Sequence, residues 1–540
     1  MKNGPAYRVF FSSAVLFAVL LTPSVWMLSV IPPLWRDIDA YAQVTLPPGA
    51  GTILHYDPLY CFAARVPLYL GDAIECLGAH GPVPKLGFFI HPVLTDSGVF
   101  LLLLVQHLSL CLAAFQLIVL ASQLFWVRLT LALAWALNPA FYAFAHCVGS
   151  ETLSMIFVLL IGATGLRIVR YPRRVPGTEW FFFGILLWLS ILTRHVNAVL
   201  AGLLPFAFFL LAAYRLLAVR FTRSQLAQRW QQLLAKQSLR RAVLAVAVGI
   251  SAILLANASL RLLCYVAQTP YGSTVGVTFL FRLKFLSYLP VDERNQLLDT
   301  VSKNADAADV KNVIALMRSE FAAETPNWDV AAFEKKAQAS LFLPQTAANE
   351  QKFHALLNRT MWAFLCLPDK VLLRAVATDF NKSQHTTIPD VVRQLFVATT
   401  FHFSHPTAMP QVGALITFQN NNASRVFAIF KNHSYFRHRK NLGFCVLLSF
   451  WLTILAAFVV VAKIRKRAAA DVASYAVALT VMGLIIMLAN CFLTVFQPRF
   501  TLPTWELTIV SASILFGGFA SLFFPSRHLS RASTVNQPQK

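Results

Sequence analysis

Gly98 to Ala121 reads GVFLLLLVQHLSLCLAAFQLIVLA, 24 residues without an Asp, Glu, Lys or Arg. As an α-helix this stretch rises about 36 Å, enough to cross roughly 30 Å of hydrocarbon. A surface helix of a soluble domain would show a polar face at helical spacing; this run shows none. Nine more runs of spanning length can be read, at 8–31, 129–147, 152–168, 179–193, 196–217, 242–264, 442–464, 472–495 and 500–524. In chain order the fifth of the ten, 179–193, is short, and the third is interrupted by Asn138-Pro139. The fifth and sixth meet in LTRHVNA; broken helices are tolerated in membranes where they line a cavity. The first run is too long for a signal-peptide core and no clear small-residue cleavage site follows it, so it reads as a retained helix. Composition agrees with the runs: 57% of the 540 residues are hydrophobic and 13% charged, against about 25% charged in a soluble domain. The expected fold is an all-α polytopic membrane protein with about ten transmembrane helices.

The net charge of +23 invites a nucleic-acid reading, but its distribution argues otherwise. With the N terminus inside and ten alternating spans, the cytoplasmic segments are the N terminus, 122–128, RIVRYPRR, 215–241, KIRKR and the C-terminal tail. They carry about 21 basic residues against two acidic ones, Glu179 and Asp471. Membrane topology and attraction to anionic lipid account for the charge, and no nucleic-acid partner is expected. This orientation puts both termini in the cytoplasm of a multi-pass cell (inner) membrane protein.

Two outside loops are long. The first, 32–97, contains HYDPLYCFAARVPLYLG (His55 to Gly71), an amphipathic aromatic stretch suited to interfacial helices lying along the membrane surface. The second, 265–441, includes DERNQLLDTVSKNADAADVKNVIALMRSEF, with apolar residues at helical spacing. It reads as a helical extracytoplasmic insertion between spans seven and eight. The chain thus divides into a transmembrane catalytic module, 1–264, the helical domain 265–441, C-terminal transmembrane helices 442–524 and a disordered cytoplasmic tail 525–540. The eight cysteines form no CxxC pair, so no zinc or iron–sulfur pattern is present. Cys61 and Cys76 share the first loop and would suit a disulfide if that side is oxidising.

The candidate chemistry sits on the outer face. WRDIDAYAQ (Trp35 to Gln43) places Asp37 and Asp39 where the chain leaves the first span. In extended chain, side chains two apart point the same way. A carboxylate there can take a proton from an attacking hydroxyl as general base; the same pair also reads as ordinary loop solvation. GSETLSMIF puts Glu151 at the start of the fourth span, where a carboxylate also suits the helix dipole and Ser150 the cap. LTRHVN and VFQPRFTLP put Arg194 and Arg499 on the outer side, against the topological bias. Ionisable residues at membrane depth are functional candidates, and the guanidinium fork suits phosphate; snorkelling is the plainer role for each. His55, His146 and His195 also fall on this side. Histidine with aspartate permits a divalent metal, but no spacing here is diagnostic and none is assigned. There is no P-loop, dinucleotide glycine fingerprint or nucleophile elbow, which argues against nucleotide-driven transport and cytoplasmic nucleotide-sugar chemistry.

In order and side of the membrane these motifs resemble the membrane-embedded GT-C glycosyltransferases, such as the protein O-mannosyltransferases and the bacterial aminoarabinose and lipopolysaccharide-core sugar transferases of the cell envelope. RDIDAY resembles their acidic motif followed by an aromatic, with Ile38 splitting the usual adjacent pair. HYDPLY resembles their His-Pro-Pro-Leu-Tyr stretch, with Asp57 at the first proline. SETL resembles their Ser/Pro-Glu-x-Leu helix start, and LTR and PRFTLP their Thr-Arg and Arg-Tyr-x-x-Pro segments. The matches touch about 1–215 and 485–525; many relatives carry their soluble domain at the C terminus instead. The resemblance implies an inverting glycosyltransferase that moves a sugar from a polyprenyl-phosphate donor to a glycan, lipid or protein acceptor on the outer face. Carried over, Asp37 would be the general base, with Asp39 supporting it or binding the acceptor. Arg194 and Arg499 would hold the lipid phosphate. Tyr41, His55, Asp57 and Glu151 would position donor and acceptor.

Two other functions fit many spans and intramembrane charge. A secondary transporter should show inverted repeats with matching broken helices in each half, and no such symmetry is visible. A lipid-linked polymer ligase or polymerase would also handle polyprenyl phosphates, with less need for the first-loop acids. A non-catalytic scaffold that uses 265–441 to bind a partner is a third reading.

Overall fold

The structure, a computed structural model, describes residues 5–31, 33–35, 44, 58–78, 93–170, 176–220, 224–269, 271–342, 346–367, 369–386, 390–395, 467–494 and 497–523. Within them the chain is all-α apart from one two-residue parallel bridge. Six helical segments are long and apolar enough to cross a membrane, as expected of a polytopic membrane protein. The bundle is built from α1 (Pro5–Val30), α4 (Asp96–Ala121), α5 (Phe125–Ala136), α6 (Pro139–Ala145), α7 (Glu151–Arg170), α8 (Gly177–Thr193), α9 (Leu203–Arg220), α10 (Gln225–Val266), α17 (Arg467–Leu493) and α18 (Leu502–Phe523). Before α4 lie two short helices, α2 (Pro58–Ala63) and α3 (Arg65–Gly78).

The run that opened the reading becomes α4. Thr95 caps it, its hydroxyl accepting from Gly98 N at 3.1 Å, and Asp96 adds an acid to the first turn. Leu117, Ile118 and Ala121 on its far end are fully buried in the main core. Without a hydrophobic drive between helices in lipid, close backbone approach matters more. Gly517 of α18 shows this: a Cβ there would overlap the backbone of Ala121.

Three expected spans take a different form. The segment 129–147 is not one helix. It breaks into α5 and α6 at Asn138-Pro139, because proline removes an N–H and clashes with the preceding turn. Asn138 then caps α6, accepting from Ala140 N at 3.1 Å. The sixth run begins as a 3₁₀ segment, His195–Gly202, before α9. The seventh is only the second half of α10, a helix of 42 residues. Its end is closed by Thr269 N to Cys264 O at 2.9 Å and Gln268 N to Tyr265 O at 3.2 Å, the Schellman pattern. Gln268 sits at φ 54°, a left-handed position where glycine would be relaxed. The run 442–464 and the tail 525–540 lie outside the described residues.

The first loop contributes α2 and α3. On α3, Val66, Leu70, Ile74 and Leu77 are exposed while Leu68, Gly71 and Asp72 are buried. An apolar outer face of this kind fits the expected interfacial helix. A Cβ on Gly71 would overlap the backbone of Gly98, so glycine there allows α3 to lie directly against the start of α4. Cys61 and Cys76 are both free thiols; the disulfide considered from the sequence is not formed.

Beyond α10 come α11 (Val275–Arg282), α12 (Val291–Asn304), α13 (Ala308–Glu320), α14 (Val330–Leu341), α15 (Ala347–Leu365) and α16 (Lys370–Gln384). They share a second core around Leu298, Val313, Met317 and Phe353, and Cys491 at the end of α17 joins it. A buried pair, Arg282 with Asp379, ties α11 to α16, and Arg282 also reaches Thr494 O at 3.5 Å. This helical layer therefore packs on the bundle end where α17 finishes. The ends of α1 and α8 and the beginnings of α4, α7 and α18 meet at the same end.

Candidate functional site

At that end the chain leaving α1 pairs with the chain entering α7. Leu34 aligns with Cys147 and Trp35 with Val148 in a parallel bridge, and Leu34 N donates to His146 O at 2.9 Å. One residue separates Trp35 from Asp37, and two separate Val148 from Glu151. The bridge thus ties together the approaches to two acidic motifs far apart in sequence.

A buried chain of polar groups supports the bridge. The Ile31 carbonyl can only accept, so His146 Nε2 carries the proton it donates at 2.8 Å. His146 Nδ1 then accepts from His107 Nε2 at 3.2 Å, and His107 Nδ1 accepts from the Ser24 hydroxyl at 2.9 Å. Both imidazoles are neutral in this arrangement, which suits sites that are 0% and 1% exposed. Tyr142 stacks on His107 and donates to Leu20 O at 2.8 Å. The result links α1, α4 and the α6–α7 turn.

A second set of hydrogen bonds fixes the turn before Glu151. The Tyr60 hydroxyl accepts from Gly149 N at 2.9 Å and donates to Gln106 Oε1 at 3.0 Å. Gln106 Nε2 in turn donates to Ala145 O and Cys147 O, at 3.0 and 3.1 Å. Burial pushes the Tyr60 phenol up, and the Gly149 N–H acts against that to a smaller degree. The phenol therefore stays neutral and can bridge donor and acceptor. Glu151 follows as the first residue of α7, 1% exposed, at the positive end of the helix dipole.

Arg194 comes from the break after α8. Its N–H donates to Ser190 O at 3.0 Å and its carbonyl accepts from Asn197 N at 2.9 Å. Asn197, fully buried, donates through Nδ2 to Ser154 Oγ at 2.9 Å and to Ser190 Oγ at 3.0 Å. These bonds lock α7, α8 and the 3₁₀ segment around the arginine backbone. The side chain is 15% exposed, and Nη1 lies 3.9 Å from Glu151 Oε1. That is an ion pair beyond hydrogen-bond length. Among the described residues the guanidinium has no other partner, so its five donors are unspent.

Of the residues singled out from sequence, Glu151 and Arg194 are brought together. Asp37, Asp39, Tyr41, His55 and Asp57 lie outside the described residues. The backbone of Arg499 forms part of the 3₁₀ turn Pro498–Thr501, with Phe500 N bonded to Gln497 O at 3.0 Å; its side chain is outside the description. His195 is exposed, and His146 is bound in the network above. Among the described residues no cluster of three His, Cys, Asp or Glu has the arrangement of a metal site. Reading by motif quoted Tyr60 within HYDPLY and Asn197 within LTRHVN but gave neither a role, and it missed Gln106 and His107. The adjacent Gln106 and His107 inside an otherwise apolar run were the available signal, since polar groups in a span seek partners. No known family model matches this chain, and no curated protein matches it.

Proposed function

We propose that the protein is an extracytoplasmic-face glycosyltransferase that moves a sugar from a polyprenyl-phosphate donor to an acceptor hydroxyl. The observation that carries this reading is Arg194, whose backbone is held by Ser190 and Asn197 while its guanidinium makes no hydrogen bond among the described residues and lies beside buried Glu151. A phosphate oxygen pair matches that fork bidentately, and a fixed cation stabilises the charge that grows on the departing lipid phosphate without reorganising. Arg499 would join it, from the turn before α18. The bridge between Leu34–Trp35 and Cys147–Val148 supports a role for Asp37 as the base that deprotonates the acceptor, with Asp39 beside it. Tyr41, His55, Asp57 and Glu151 would orient donor and acceptor. The anomeric carbon–phosphate oxygen bond breaks as the acceptor oxygen attacks from the opposite face. The proton passes to the carboxylate and the electron pair leaves with the polyprenyl phosphate.

The test is thermal stability of the purified protein with and without polyprenyl phosphate. A ligand that binds only the folded state at a hundred times its dissociation constant adds about 2.7 kcal/mol. The expected result is stabilisation of the wild type that disappears in Arg194→Ala and Arg499→Ala and survives in Asp37→Asn. Absence of any shift at saturating lipid would favour the transporter reading, and a shift that survives both arginine changes would remove the phosphate role assigned here.

A further inference from the structure

A cavity of about 570 Å³ opens at the seam between the helical layer and the end of α17. Its size falls within the roughly 300–1,000 Å³ of small-molecule sites. Its lining includes the buried Trp328, Val330 and Thr494. Phe281 also lines it and is 49% exposed. Around it converge the side chains of Lys284, Asn327, Asp329 and Gln497. Among the described residues Lys284, Asn327 and Gln497 have no side-chain hydrogen bond. Asp329 spends Oδ1 on the cap of α14, accepting from Ala331 N and Ala332 N at 3.0 and 3.2 Å, and keeps Oδ2.

Two features decide the ligand class. The side chains mix donors and acceptors: two amides that do both, one carboxylate that accepts and one ammonium that donates. Their formal charges cancel, so the cavity offers no net attraction to a phosphate or a carboxylate. Arg282, next in sequence to Phe281, does not change this, since it is fully buried and paired with Asp379. The exposed aromatic ring has a negative face that attracts the weakly positive C–H groups of an apolar ligand surface. An array of neutral hydroxyls with an apolar C–H face is the chemistry of a pyranose.

We infer that the cavity lined by Phe281, Lys284, Asn327, Asp329 and Gln497 is a binding site for a neutral saccharide. Phe281 stacks on one ring, and the amides and Asp329 Oδ2 take its hydroxyls. Gln497 immediately precedes the turn that carries Arg499, which puts the cavity next to one of the residues assigned to the lipid phosphate. The saccharide is then the acceptor, a glycan, and this last identification rests on the glycosyltransferase reading; the binding itself does not.

Saturation-transfer NMR on the full chain in lipid nanodiscs, free of sugar detergents, tests the inference. The probes are cellotriose, maltotriose and the β-1,4-linked N-acetylglucosamine trimer at millimolar concentration. At least one is expected to receive saturation from the wild type. Phe281→Ala should weaken that probe about tenfold or more, the loss of one aromatic stacking partner and its covered area. Asn327→Ala and Gln497→Ala should each weaken it less, with melting temperatures unchanged in all three. Arg194→Ala should bind the saccharide as the wild type does, so loss of lipid-phosphate binding there leaves this site standing. Saturation of no probe, equal saturation in Phe281→Ala, or displacement by inorganic phosphate would each overturn the assignment.

Discussion

Arg194 at the Glu151 end contrasts with the arginines at the opposite end of the bundle. At the end away from the helical layer, arginines are committed. Arg128 donates to Ser122 O at 2.6 Å and to Val119 O at 3.0 Å, and Arg170 to Ala121 O at 3.1 Å. Each neutralises carbonyls left over at the end of α4. Arg215 donates to Leu234 O at 3.0 Å, Ser238 Oγ at 2.6 Å and Asp471 Oδ1 at 2.8 Å, joining α9, α10 and α17. At the Glu151 end, Arg194 has a backbone locked on both sides and a guanidinium facing one carboxylate at 3.9 Å. Structural arginines spend their donors on the protein. Arg194 is held but its guanidinium spends no hydrogen bond on the described residues, and the proposed function gives it a ligand.

The contrast predicts its largest effect at Arg215. Replacing it by alanine leaves Asp471 buried without its cation, a loss of about 3–5 kcal/mol for a broken buried pair. Arg215→Ala should lower the melting temperature strongly, and the double change with Asp471→Leu should recover much of it. If Arg215→Ala melts like the wild type, the claim that this end is held by committed arginines fails.

Arg194→Ala should behave in the reverse way. Among the described residues its guanidinium has one loose ion pair, so folding stability should barely change. Transfer from a polyprenyl-phosphate sugar should fall about a hundredfold, the scale of removing one preorganised charge-stabilising group. Arg194→Lys should recover little, because an ammonium cannot form the fork. A large melting-temperature loss in Arg194→Ala would move this arginine to the structural side of the comparison.

Much of this architecture could be read from the chain, and what could not has a common physical cause. The run at 98–121 announced α4 because a charge-free stretch of spanning length has few alternatives. The break at Asn138-Pro139 followed from proline chemistry, Glu151 was picked out by its place at a helix start, and Arg194 by its charge against the expected topological bias. The bridge of Leu34–Trp35 with Cys147–Val148 was not legible, because two residues of parallel pairing leave no periodicity. The roles of Tyr60, Gln106 and Asn197 were not legible for a related reason. Each acts through partners 46, 39 or 43 residues away in sequence, and no local pattern records such a bond. The 3₁₀ segment after Arg194 was hidden by an apolar composition that fits an α-helix equally well.

Tyr60 tests whether the Glu151 end is as rigid as the unspent arginine requires. Tyr60→Phe keeps the ring and removes the hydroxyl, so Gly149 N loses its acceptor and Gln106 Oε1 its donor in a buried setting. A cost of about 1–2 kcal/mol in stability is expected, together with a drop in transfer that exceeds what stability explains, since the turn before Glu151 loosens. A Tyr60→Phe protein with the wild-type melting temperature and turnover would show that the turn is held by other means.

The smallest effect should come from an arginine that belongs to neither end. Arg359 pairs with Asp309 between α15 and α13, and the two side chains are 53% and 42% exposed. Water screens such a pair and competes for both partners, and holding two long side chains together costs entropy. Arg359→Ala should therefore change stability by less than about 1 kcal/mol and leave transfer untouched. Both pairs join an arginine to an aspartate across two helices, so the measurement separates pairing from environment. A loss at Arg359 as large as that at Arg215 would mean that arginine contributes to this fold by contact alone, and the distinction between committed and unspent arginines would then have to rest on activity measurements rather than on stability.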